Sequence, residues 1–165
     1  MSCGSTSNSF LNFETRMAWD KNVVDMKTFE ITPDMSAGRI YYRYLSPAPY
    51  LTSDRDFYIY QLVRRDFPEV GMVCIYTKSL PTHPECPETF SPCRANMYIS
   101  AFVFKPVTNE HGEEHTEMFM VTQVDINGWV PKLIINNFSA SKPRESLTEL
   151  EAAASTYHKT HTAKL

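Results

Sequence analysis

The stretch from Arg39 to Asp66, RIYYRYLSPAPYLTSDRDFYIYQLVRRD, constrains the fold more than any other. Two runs rich in tyrosine and isoleucine flank a loop, Pro47 to Ser53, whose prolines confine turns to that segment. Such residues suit a pleated, half-buried surface. Alternation places Phe57, Ile59, Gln61 and Val63 on one face of the second run and Tyr58, Tyr60, Leu62 and Arg64 on the other. In the first run, Ile40, Tyr42, Tyr44 and Ser46 alternate with Tyr41, Arg43 and Leu45. Neither run has a cleanly polar face, which predicts a sheet covered on one side and lining a space on the other.

Further strands follow the same logic. Val23–Thr32, Met72–Ser79, Arg94–Lys105 and Thr116–Asp125 read as strands joined by short connections, hence an antiparallel meander. Leu11–Asp20 reads as a short helix with Trp19 as a core anchor. Asp20 is open to either a capping or a chemical role. After Pro131 the period becomes helical: Leu133, Ile134 and Phe138 cluster, and Leu147, Leu150, Ala154 and Tyr157 recur at three- and four-residue spacing up to His158. Pro143 predicts a kink or a restart. The expected fold is α+β, a curved antiparallel sheet gripping a long, kinked C-terminal helix.

At 165 residues the chain suits one domain. A net charge of −3 with mixed signs lacks the basic stripe of a nucleic-acid binder. No apolar run reaches the ~20 residues of a membrane-spanning helix, and MSCGSTSNSF is no secretory signal. Residues 1–9 are small and polar and read as disordered, and residues 159–165 as a tail. His83, Cys86 and Cys93 share a proline-rich loop but lack the fourth ligand and CxxC spacing of a zinc site, so no metal and no cofactor are expected. No nucleophile elbow, phosphate loop or zinc-protease histidine pair is present, which argues against an enzyme.

Several of these stretches together resemble the START domain, the lipid-transfer module related to steroidogenic acute regulatory protein. The matching residues are Arg16-Met17-Ala18-Trp19-Asp20; the Tyr-Tyr, proline loop and Ser-Asp-Arg-Asp-Phe series ending in Arg64-Arg65-Asp66; Arg94-Ala95; and VTQVDINGWVPKLIIN from Val121 to Asn136. They lie in order over about residues 10–158, and their spacing is nearest the phosphatidylcholine-transfer branch. The resemblance implies a helix-grip fold with an apolar cavity between sheet and C-terminal helix. It also implies non-catalytic binding and transfer of a phospholipid, sterol or fatty acid at a transiently engaged membrane surface. Tyr42, Tyr44, Ile59, Val63, Ile75, Met118 and Met120 are the candidate inner-face residues, with Leu133 and Phe138 from the helix. Gln61 can orient a head group. Arg55 is a further ligand candidate, or it holds the loop with its neighbours.

The resemblance has two departures. The family carries a helix and three strands ahead of this point, so a fragment is one reading, and the last strand becomes a sheet edge open to self-association. START sterol carriers also bury an acid and an arginine in the cavity. Those positions fall near Tyr42 and on Gln61, which argues against a copy of the cholesterol site. The alternatives are a ligand-free interaction module and a small helix-grip enzyme. Location is expected to be cytoplasmic, with Ala163-Lys164-Leu165 resembling a peroxisomal address.

Overall fold

A computed structural model describes residues 3–162, with the side chains of residues 5, 13, 14, 138 and 157–162 outside the description. The C-terminal tripeptide therefore lies outside the described residues. The elements are α1 (Cys3–Leu11), α2 (Phe13–Trp19), β1 (Val23–Phe29), β2 (Ala37–Tyr44), β3 (Arg55–Arg65), β4 (Val73–Ser79), β5 (Cys93–Arg94), β6 (Asn96–Thr108), β7 (Glu114–Asp125) and α3 (Lys132–Thr162).

Six strands form an antiparallel meander in the order β1-β2-β3-β4-β6-β7, and the two-residue β5 pairs parallel to the start of β3. The register brings one face of each strand together. Tyr42 stands opposite Phe57 and Ile40 opposite Ile59. Val63 stands opposite Ile75, which stands opposite Phe102, itself opposite Met120. These form the inner face of a curved sheet. The observed class is α+β, and the sheet with its C-terminal helix forms a helix grip, as the strand pattern and resemblance predict.

The N-terminal segment corrects the sequence expectation. Residues 3–11 are helical, not disordered, and the helix predicted over 11–20 starts later, as a second helix over Phe13–Trp19. Asn12 separates them and caps the second, its side-chain oxygen accepting from the Thr15 N–H at 2.9 Å. Ser7 and Ser9 are fully buried, and small side chains let α1 lie close against its neighbours. Trp19 Nε1 donates to the Ser9 carbonyl at 3.1 Å, and Cys3 Sγ donates to the Phe104 carbonyl at 3.4 Å. Tertiary packing supplies what the weak helix propensity of this segment lacks.

The C-terminal helix runs unbroken through Pro143 and on to Thr162, past the expected end at His158. Its grip is concentrated in one part. Leu150 joins Val63, Val73, Ile75, Phe104, Leu11, Trp19 and Cys3 in the main core cluster. Leu133 and Leu147, nearer its start, are exposed. No described helix is long and apolar enough to cross a membrane.

Candidate functional site

Between the inner face of the sheet and the two N-terminal helices lies a cavity of about 160 Å³. Its apolar wall includes Phe10, Leu11, Met26, Ile40, Tyr42, Ile59, Met97, Phe102 and Met120, and Gln61, Thr77, Ser100 and Thr122 add polar points. Met120 and Thr122 belong to β7, the last strand of the sheet, so the wall ends at the sheet edge. The enclosed volume resembles that of a pocket for a small aromatic molecule and falls below the several hundred Å³ of a typical ligand site.

One end of the cavity carries charge. Arg16, on α2, lines it. Its Nη2 donates to Asp20 Oδ2 and to the Tyr44 hydroxyl, both at 3.0 Å, and its Nε reaches the same carboxylate oxygen at 3.2 Å. The Tyr44 hydroxyl donates to Asp20 Oδ2 at 3.2 Å, closing a three-membered network. The guanidinium carbon lies 4.3 Å from the Phe10 ring centre and 4.7 Å from that of Trp19. Helical spacing explains the pair, since residues four apart share a helix face.

Burial alone would draw the Arg16 guanidinium down, but Tyr44, Asp20 and Tyr42 hold it above its ordinary value, so it stays charged. Burial pushes the phenols of Tyr42 and Tyr44 up. The cavity thus combines a hydrocarbon-compatible wall with a fixed cation whose Nη1 has no partner among the described residues.

Of the residues expected to line a cavity, Tyr42, Tyr44, Ile59, Gln61 and Met120 do so. Val63 and Ile75 lie in the main core cluster, and Met118 packs against it. Leu133 is exposed and away from the wall. The side chain of Phe138 lies outside the described residues.

Arg55 lies outside the cavity wall and bonds to backbone carbonyls. Its Nε donates to the Ile126 carbonyl at 2.6 Å and its Nη2 to the Asn127 carbonyl at 3.0 Å, while Nη1 donates to the Ser53 carbonyl. It therefore ties the Pro47–Ser53 loop to the turn before α3. Asp56 pairs with Arg94 through bonds of 2.9 and 3.1 Å.

Arg16 is the residue that sequence reasoning missed. The Arg-x-x-x-Asp spacing beside Trp19 was the available signal, but nothing in it showed that Tyr44, 28 residues on, completes the network.

The START-domain family model matches residues 8–159. The chain belongs to the START domain family. A comparison with curated proteins gives no significant match. Among solved structures, the START fold here is similar to human STARD10 at 19% identity and a TM-score of 0.79, covering 99% of this chain and 62% of that one. It is similar to human StAR-related lipid transfer protein 5 at 21% identity and a TM-score of 0.80, covering 95% and 72%. The lipid transfer and protein localization domain of human StarD13 matches at 24% identity and a TM-score of 0.64, covering 92% and 68%. At these identities the likeness is one of fold. This START chain spans 62% of the STARD10 chain's length.

Proposed function

We infer that this chain binds and transfers a lipid without chemical turnover, seating hydrocarbon against the inner sheet face and an anionic head group at Arg16. The carrying observation is the cavity itself, apolar along Ile40, Ile59, Phe102 and Met120, with the ion-paired Arg16 at one end. Each buried methylene contributes ~0.8 kcal/mol, so even a short segment of chain gains several kcal/mol. Arg16 Nη1 is the donor left for a phosphate or carboxylate oxygen, and a charge-assisted hydrogen bond of this kind contributes ~1.5–3 kcal/mol.

Lipid entry at a membrane surface is supported by exposed apolar side chains near the Arg55 tie. Tyr50 and Leu51 lie in the loop it holds, and Trp129 in the turn before α3. Aromatic side chains of this kind settle at the boundary between lipid and water.

Native mass spectrometry of the purified chain, with extraction of what it carries, tests the reading. One amphiphile per chain with an anionic head is the expected result. Arg16→Met is expected to weaken phospholipid binding by about ten- to a hundredfold, the equivalent of one charge-assisted bond. Unchanged binding in that variant would remove Arg16 from head-group recognition. A chain that is folded, empty and unable to take lipid from vesicles would refute the carrier reading.

A further inference from the structure

Hydroxyl and amide side chains are not scattered over the cavity wall but stand in one row. The register sets Gln61 of β3 opposite Thr77 of β4, Thr77 opposite Ser100 of β6, and Ser100 opposite Thr122 of β7. All four line the cavity. Directly opposed residues share a face, so the row crosses the inner face of the sheet from strand to strand. The rows on either side meet the cavity with apolar groups, Ile40 and Ile59 on one, Phe102 and Met120 on the other.

The middle of this row is buried and poorly paired. Ser100 is 2% exposed and Thr77 8%. Buried polar groups are nearly always hydrogen-bonded, and facing threonine and serine residues commonly bond each other. Here they do not. Among the described residues, the side chains of Gln61 and Ser100 have no hydrogen-bond partner, and Thr77 Oγ1 donates at 3.0 Å to Met97 Sδ, a weak acceptor. Ser79, on the neighbouring row, shows the ordinary outcome: its hydroxyl accepts from the Met97 N–H at 2.8 Å.

We propose that this row binds the ester carbonyls of a diacyl lipid whose anionic head lies at Arg16. The inference rests on the lipid-binding reading and names the class of lipid. The Gln61 amide and the Ser100 hydroxyl donate, and an ester carbonyl oxygen accepts. Neighbouring strands stand about 4.8 Å apart, so two esters on adjacent carbons of one glycerol backbone each meet a different member of the row. A free fatty acid has its only polar group at Arg16, and a sterol offers a single hydroxyl, so neither engages both regions. Donors left unpaired in an apolar cavity are costly, and a site built with them rejects a ligand that lacks the matching acceptor.

Calorimetric titration of the 165-residue chain with a short-chain diester phosphatidic acid, and with its diether analogue of the same head group and chain length, tests the row. The diether lacks the two carbonyls. The diester is expected to bind about tenfold tighter or more, the contribution of one to two neutral hydrogen bonds. Ser100→Ala and Gln61→Met are each expected to lower diester affinity more than diether affinity, shrinking the preference severalfold. Urea unfolding of the ligand-free chain gives a second readout. Ser100→Ala removes a hydroxyl with no described protein partner, so its midpoint is expected to equal or exceed that of the wild type.

Equal wild-type affinity for diester and diether, or a preference that survives both substitutions, overturns the proposal; a row that only holds ordered water gives that result. A lowered urea midpoint in Ser100→Ala with an unchanged preference assigns the hydroxyl to the fold and overturns it likewise. A chain that binds both lipids alike leaves the carrier reading standing without the row. A chain that binds neither refutes the carrier reading and the row together.

Discussion

The β1 and β7 flanks of the sheet belong to one continuous ladder, yet they are finished in opposite ways. At the β1 flank the chain folds back on itself. Val23 is buried, α2 sits against the strand, and Arg16, Asp20 and Tyr44 bracket the neighbouring β2 with charge-assisted bonds. At the β7 flank the strand is longer and more regular, but its apolar side chains meet water. The start of α3 follows the same pattern, with Leu133 exposed while Leu150 is in the core. The N-terminal helices divide between the two flanks: α2 packs on β1, while α1 lies against β4, β6 and β7. On the β7 side, Phe119 and Val121 are exposed.

The largest effect expected from breaking this contrast is at Asp20. Its side chain is 4% exposed and that of Arg16 is 15% exposed, so the pair is shielded from water. Asp20→Ala leaves a guanidinium buried without its carboxylate, which costs about 3–5 kcal/mol. Glu117→Ala, on β7, removes an exposed charge and is expected to change stability by no more than about 0.5 kcal/mol. Urea unfolding of the two variants reads the difference. Equal costs would mean that the two flanks are equally firm, and the contrast would fail.

The second effect divides α3 against itself. Leu150 is 4% exposed and Leu133 is 71% exposed. Leu150→Ala opens a void in the main cluster and is expected to cost about 2–5 kcal/mol. Leu133→Ala, the same chemical change nearer the helix start, is expected to stay within about 0.5 kcal/mol. Thermal unfolding at matched pH distinguishes them. A large loss at Leu133 would show that this part of the helix already grips the sheet.

How far the sequence foretold this arrangement depended on the range of the signal. Alternation is local, so the six-strand meander and the shared face of Tyr42, Ile59 and Gln61 were legible. Val63 and Ile75 alternate in the same way, yet share a solid core cluster with Leu150 of α3. Period-two patterning tells which face a residue is on, but not whether that face meets a helix or a space. Arg16 escaped for a related reason, since its value comes from Tyr44 on another element. The first helix was missed because Ser7 and Ser9 look like solvent-loving residues. Their small size, which permits close packing, is a property of the neighbours as much as of the sequence.

The third effect is gentlest at ordinary pH and belongs to the closed flank alone, because β7 contains no tyrosine. Burial first, and then the charges of Asp56 and Asp25, push the Tyr41 phenol up to about 12. Burial likewise raises Tyr42 and Tyr44 above their ordinary value of 10.0. A phenol with a raised value keeps its proton when folded at a pH where the unfolded chain gives it up. Its contribution to stability is complete below pH 10 and is lost as pH climbs toward the folded value. The Cys3 and Cys86 thiols, raised by burial from 9.0, start the same decline slightly earlier. The urea midpoint is therefore expected to hold level from pH 8 to about pH 9, then to fall with increasing slope toward pH 12. Tyr42→Phe keeps the stacked contact with Phe57, whose ring centre lies 5.1 Å away, and removes one titrating group. That variant is expected to show a shallower alkaline slope. An identical slope would mean that the Tyr42 hydroxyl already meets water through the cavity, and that the closed flank is wetter than its side-chain packing implies.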